Sequence, residues 1–209
     1  MGLVSRGATL TKIAIIDVNT GNSAAVQNML NHLGYNATIL CDAGSREAEQ
    51  SDVVILPGVG NFNSVMQALE KHNWINFLDN LSGAQKFLGI CVGYQILFSD
   101  SAEGANSKGL NIIPAKVVGL NDVRSFTSNI PNVGWFEEEK SKEKYYFTHS
   151  YGADAEQIEV SGVDFDYIQI GKSKIISRVN KGNYYGVQFH PEKSGLAGFR
   201  FFEDFLNDI

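Results

Sequence analysis

Three short stretches of the chain carry side chains whose types and spacing could do chemistry. In the first, Phe87-Leu88-Gly89-Ile90-Cys91-Val92-Gly93-Tyr94-Gln95, an apolar run leads into a cysteine bracketed by two glycines. A buried strand that stops, turns sharply and restarts as a helix would present Cys91 at the turn. Side chains in place of Gly89 and Gly93 would collide with so tight a backbone. A thiol at a helix N-terminus also meets the positive end of the peptide dipoles, which favours thiolate. The plainer alternative for a lone cysteine is a small buried hydrophobe.

The second stretch is Tyr185-Gly186-Val187-Gln188-Phe189-His190-Pro191-Glu192-Lys193-Ser194, a strand-like run ending in a histidine with a carboxylate two residues on. Pro191 pushes His190 into an extended conformation, where residues i and i+2 point the same way. His190 can then serve a thiol as general base while Glu192 orients the ring and stabilises its cation. Singly, each is an ordinary surface residue; with Cys91 they form a nucleophilic set. The third stretch, Pro57-Gly58-Val59-Gly60, is a common turn by itself. After a buried strand, and beside a nucleophile, its glycines allow close approach of backbone N–H groups to a developing oxyanion.

The elements that must position these residues follow from periodicity. Lys12 to Val18, Asn36 to Cys41, Ser51 to Leu56 and Gln85 to Ile90 read as strands, the first and third being buried β-branched runs. Ser23 to Gly34, Asn63 to Leu69 and Trp74 to Leu81 carry apolar residues at helical spacing. Strand–helix alternation of this kind gives an α/β fold, an open, mostly parallel sheet with flanking helices. Its sites lie at the strand C-terminal ends, where all three stretches fall. After Phe98 the texture changes. Ser101 to Lys108 is polar, and strands from Ala115 to Phe189 predict a smaller antiparallel or mixed β portion that returns His190 to Cys91. A helix over Gly198 to Leu206 closes the chain. The charge run Glu137 to Lys144 reads as a solvated face, and Cys41, at a strand end without histidine or glycine company, as structural.

Bulk properties bound the function. The 209 residues are 44% hydrophobic and 19% charged, as in one globular domain able to bury roughly 70% of its unfolded surface. Residues 12–209 are assigned to that domain and residues 1–11 to a short disordered leader. A net charge of −6 without a basic run argues against nucleic-acid binding, and no apolar stretch reaches the ~20 residues of a membrane span. Two cysteines without paired spacing make neither a disulfide framework nor a metal site, which fits a reducing cytoplasm.

The motifs G-I-C-V-G-Y-Q and V-Q-F-H-P-E together resemble the class I (triad) glutamine amidotransferases. Further segments resemble the glutaminase subunits of imidazole glycerol phosphate synthase in particular: I-I-D-x-x-x-G-N (Ile15 to Asn22), P-G-V-G-N-F (Pro57 to Phe62), K-G-L-N-I-I, P-N-V-G-W, Y-F-T-H-S-Y and H-P-E-K-S. The resemblance implies a flavodoxin-like sheet and hydrolysis of L-glutamine by Cys91, His190 and Glu192 without metal or cofactor. It implies an oxyanion loop at Gly58, Val59 and Gly60, with the Val92 N–H as a further donor. It puts Gln95 and Glu103 at the amino-acid end of the substrate, with Glu103 on the α-ammonium, and His149-Ser150-Tyr151 on the α-carboxylate. The partner implied is a (β/α)8-barrel cyclase that receives the ammonia, switches the glutaminase on allosterically and docks near Asn22, Trp135 and Lys193. His149, lacking a carboxylate two residues away, ranks below His190 as the base.

The chain departs from the usual pattern at Asp17-Val18-Asn19-Thr20-Gly21-Asn22 (usually D-Y-G-x-G-N), at Asn132-Val133-Gly134-Trp135-Phe136 (usually H-M-G-W-N) and at Tyr94, where methionine is common. All three lie away from the triad. Other readings stay open on the residues alone: a paralogue supplying ammonia to a sugar or surface-polysaccharide amination synthase, a non-catalytic regulator on the same fold, or a peptidase-type cysteine hydrolase.

Overall fold

The computed structural model describes residues 11–19, 22–104, 107–158 and 161–208. Except for Thr11, the leader expected at the N-terminus lies outside these residues. The first half alternates as expected: β1 (Ile13–Ile16), α1 (Ser23–His32), β2 (Ala37–Leu40), a single turn α2 (Arg46–Glu49), β3 (Val53–Leu56), α3 (Phe62–Lys71), α4 (Trp74–Asp79), β4 (Lys86–Ile90) and a second single turn, α5 (Val92–Gln95). Short strands follow: β5 (Phe98–Ser101), β6 (Ser107–Lys108), β7 (Ile113–Gly119), β8 (Asn132–Glu137), β9 (Lys144–His149) and β10 (Tyr151–Gly152). The chain ends with β11 (Asp164–Ile170), β12 (Ser173–Lys181), β13 (Tyr184–Val187) and α6 (Gly195–Asn207).

The main sheet has seven strands in the order β11-β12-β13-β4-β3-β1-β2. Five of them, β13-β4-β3-β1-β2, run parallel, and β12 and β11 add an antiparallel edge. The core strands are buried on both faces and divide their side chains between two layers, as the period of two dictates. Ile13, Ile15, Val53, Ile55, Leu88 and Ile90 pack with α1 and α6 through Val26, Leu30, Phe202 and Phe205. Ala14, Ile16, Val54, Leu56 and Phe87 pack with α3 and α4 through Phe62, Val65, Leu69, Trp74 and Leu78. A four-stranded sheet, β10-β7-β5-β6, and a β8-β9 hairpin make up the smaller β portion.

The polar stretch 101–108 contains the end of β5 and all of β6. One expectation is corrected. The charge run after β8 is not a solvated face throughout. Glu138 is fully buried, accepts from Ser177 Oγ at 2.5 Å and Arg178 Nε at 2.9 Å, and is ion-paired with the second Arg178 nitrogen. A charge can be buried there because opposite charge and donors meet it. Cys41, read as structural, has an exposed side chain. The fixed point at that position is its carbonyl, which accepts from Trp74 Nε1 at 3.2 Å.

Candidate active site

The strand order decides which loops meet. Strands β13, β4 and β3 are neighbours, so the segments leaving their C-terminal ends lie side by side: Gln188 to Ser194, Cys91 to Gln95, and Pro57 to Gly60. Cys91 sits at φ 56°, ψ −105°, a sparsely populated region that a non-glycine residue occupies only when its surroundings force it. The forcing contacts are visible. A Cβ on Gly89 would lie 2.0 Å from the Gly93 carbonyl oxygen, and one on Gly93 would lie 2.2 Å from the Leu56 carbonyl oxygen. The Cys91 N–H donates to the Val187 carbonyl at 2.8 Å, tying the elbow to β13. Cys91 is buried, at 8% exposure. The helix expected to begin there is one turn long, so the dipole acting on the thiol is that of a few peptide units rather than a full helix.

His190 is fully buried, and its backbone is clamped by two bonds: its N–H donates to the Tyr146 carbonyl at 2.9 Å and its carbonyl accepts from Ser194 Oγ at 2.6 Å. Its Nδ1–H donates to Glu192 Oε1 at 2.8 Å; a carboxylate only accepts, so the tautomer is fixed. Nε2 is buried without a hydrogen-bond partner. Burial disfavours the charged ring, but interaction with the Cys91 sulfur and the Glu192 carboxylate outweighs it, and the pKa is raised from 6.5 to about 9. At neutral pH, Nε2 therefore carries a proton with no protein acceptor: a poised acid beside a cysteine.

Pro57 and Gly58 are buried, whereas Val59 and Gly60 are exposed. A Cβ on Gly58 would lie 2.1 Å from Val92 Cγ1, so this loop rests on the elbow. Gly60 adopts φ +131°, open to glycine and strained for other residues.

The remaining expected residues fall as follows. Gln95 is buried and its Nε2 donates to the Tyr151 carbonyl and to Gln188 Oε1, each at 3.0 Å. Glu103 accepts from the Phe62 N–H at 2.9 Å, against the start of α3. Ser150 is partly buried, its carbonyl accepting from the Leu120 N–H at 3.0 Å. Buried His149 donates from Nδ1 to the Tyr151 carbonyl at 2.8 Å, and Nε2 meets Asn132 Nδ2 at 3.1 Å. Burial, with a smaller contribution from His190, lowers the His149 pKa to about 4 despite the Tyr151 bond. With both ring nitrogens engaged and the ring neutral, it is unsuited to be the base. Trp135, 55% exposed, and Lys193 face solvent. Asn22 instead turns its amide to Glu192 Oε1.

Two residues of the site lay outside the sequence reading in their present roles: Asn22 as a partner of Glu192, and Gln188, whose Nε2 lies 3.6 Å from Cys91 Sγ. Nothing local announces the first. The second had a signal in the sequence, because Gln188 precedes His190 by two in the strand-like run, a spacing that puts both on one side of an extended chain. In the structure the strand ends at Val187, and Gln188 and Phe189 bend.

Residues 14–209 match the family described as Glutamine amidotransferase class-I. The Staphylococcus epidermidis imidazole glycerol phosphate synthase subunit HisH is 34% identical over 205 residues, covering 94% of this chain and all of that one. The HisH subunits of Pyrococcus furiosus (36%; 90% and 95% covered) and Bacillus cereus (37%; 92% and 93% covered) are similarly related. Among solved structures, a glutamine amidotransferase superposes with a TM-score of 0.70 at 18% identity, covering 94% of this chain and 97% of that one. A chain of PurLQS from Thermotoga maritima gives 0.63 at 15% identity, with 93% and 97% covered. A matched segment that takes in the elbow, the glycine loop and the His-Pro-Glu turn, with relatives aligned end to end, places this chain in the class I glutamine amidotransferase family.

Proposed function

We propose that this chain is the glutaminase subunit of imidazole glycerol phosphate synthase, feeding ammonia to a separate (β/α)8-barrel cyclase in histidine biosynthesis, in the cytoplasm. The observation that carries the chemistry is the geometry of His190: buried, anchored through Nδ1 to Glu192, with Nε2 free of any hydrogen-bond partner in the pocket of a strained cysteine. The Cys91 thiolate attacks the side-chain amide carbon of glutamine. As the tetrahedral intermediate collapses, the C–N bond breaks and Nε2 hands its proton to the departing nitrogen, giving ammonia and a glutamyl thioester. The neutral imidazole then takes a proton from water, whose oxygen attacks the thioester; glutamate leaves and the thiolate–imidazolium pair is restored. Backbone N–H groups of Val59, Gly60 and Val92 hold the oxyanion in both halves.

The pocket assignments of Gln95, Glu103 and the 149–151 segment belong to the same reading, with Glu103 exchanging the Phe62 N–H for the substrate's ammonium. The exposed Trp135 and Lys193, together with Asn22, form the docking face. Among the described residues no helix is long and apolar enough to cross a membrane, which accords with such a partner. Ammonia release from glutamine is measured for the chain alone and with a barrel cyclase loaded with its nucleotide substrate. Strong stimulation by the loaded cyclase supports the assignment; glutaminase activity indifferent to it would move the chain to another synthase. In the same assay Cys91→Ala abolishes glutamine-dependent synthesis and leaves synthesis from free ammonia intact.

A further inference from the structure

Gln188 is fully buried, and the direction of its amide is fixed by a chain of bonds that admits one solution. The Tyr151 carbonyl can only accept, so the group of Gln95 that meets it at 3.0 Å is the NH2. The same nitrogen reaches Gln188 at 3.0 Å, so Gln188 must present its oxygen there. Its own NH2 is thereby turned to Cys91 Sγ at 3.6 Å, within reach of an N–H···S bond. The backbone agrees: the Gln188 N–H is bonded to the Ser177 carbonyl at 2.7 Å, and the residue cannot rotate away as a unit.

From this geometry we propose that Gln188 is a further catalytic residue, a neutral donor that binds the Cys91 sulfur and favours its thiolate, with Gln95 as the positioning residue that aims it. This rests on the glutaminase reading for its purpose but on the hydrogen bonds for its substance. His190 must spend its Nε2 proton on departing ammonia and regain it from water. A donor that never titrates stays beside the sulfur through both events, including the interval in which the imidazole is neutral and the sulfur is held in the thioester, and it is in place when the thiolate leaves. Gln95 commits both amide hydrogens to this arrangement, so substitutions there disturb the nucleophile as well as any contact with substrate.

The test is the pH dependence of Cys91 alkylation by iodoacetamide in the full chain, followed by mass spectrometry at the Cys91 peptide because exposed Cys41 also reacts. The titratable groups around this pocket are His190 with Glu192, and His149, which is neutral; none is altered in the variants. Gln188→Met keeps the volume and removes the donor. A bond to a charged acceptor of ordinary strength corresponds to an upward displacement of the profile by about one pH unit, and about a tenfold slower alkylation on the acid side of its midpoint. Gln95→Met, which releases the Gln188 amide, moves the profile the same way by less. If Gln188→Met melts too low for the assay, Gln188→Asn withdraws the amide by one methylene and gives the same displacement. A profile superimposable on that of the parent, in a variant of unchanged melting temperature, overturns the proposal. Alkylation needs no turnover. A parent chain that failed to hydrolyse glutamine with any partner would therefore count against the glutaminase reading while leaving this result standing.

Discussion

Asn22 and His190 converge on one atom: each donates to Glu192 Oε1, Asn22 from a position 170 residues away in sequence. The carboxylate is thus fixed from two sides, and the imidazole it orients is fixed with it. A hydrogen bond to a buried charged group is worth about 1.5–3 kcal/mol. Asn22→Ala is therefore expected to lower kcat for glutamine hydrolysis roughly ten- to hundredfold, with KM for glutamine little changed. Steady-state kinetics with the proposed cyclase added measure both; an unaltered kcat would mean that Glu192 keeps its orientation unaided.

The raised His190 pKa has a kinetic and a thermodynamic consequence of the same sign. Departure of ammonia needs a proton on Nε2, so kcat/KM should fall as pH rises through about 9. Glu192→Gln removes one of the groups that hold the proton and should bring that limb to lower pH. Because the folded state binds the proton more tightly than the unfolded chain, the associated stability is fully present below about 6.5 and is lost as pH rises through about 9. A basic limb that stays in place in Glu192→Gln would detach it from His190.

His149 works in the opposite direction. Its pKa of about 4 means that the unfolded chain gains a proton first as the solution is acidified, so stability present above about 6.5 is lost on descending toward 4. The loss approaches about 3 kcal/mol for this one group. His149→Gln should flatten the dependence of urea unfolding free energy between pH 4.5 and 7. An equally steep dependence in the variant would assign the acid sensitivity elsewhere.

Glycines of the site differ in why they are there, and alanine distinguishes the reasons. Gly93→Ala drives a methyl to 2.2 Å from the Leu56 carbonyl oxygen at the end of β3, and should cost about 3 kcal/mol or more, with loss of Cys91 reactivity. Gly60→Ala meets nothing within 4 Å and bears only the strain of φ +131°, about 1–2 kcal/mol. Urea unfolding of the two variants ranks them; equal costs would contradict the distinction.

The local parts of this site were legible in the sequence because their physics is local. The elbow needed Gly89 and Gly93, and buried runs such as Val53 to Leu56 announce core strands. At the His-Pro-Glu turn proline leaves His190 extended as expected, but Glu192 reaches it from a 3-10 turn over Pro191–Lys193 rather than along an extended run. What escaped depended on partners far along the chain. Glu138 looks solvated until Ser177 and Arg178 of β12 are brought to it, and Asn22 looks like a loop residue until it meets Glu192. Tyr94 is a departure whose compensation is equally remote. Its hydroxyl donates to the Ile176 carbonyl at 3.2 Å, and a Cβ on Gly186 would lie 2.9 Å from its ring.

The position of β13 has a consequence for the order of events on the ribosome. It is made after every other strand of the main sheet, yet it lies inside that sheet between β12 and β4, and its Val187 carbonyl receives the Cys91 N–H. Until Tyr184–Val187 emerges and inserts, the nucleophile has neither its strap nor its base, and β4 has an open edge. A nascent chain is therefore expected to be chemically silent toward glutamine until that stretch is out. One short run, Tyr184 to Glu192, carries both the strand that closes the sheet and the proposed base with its carboxylate.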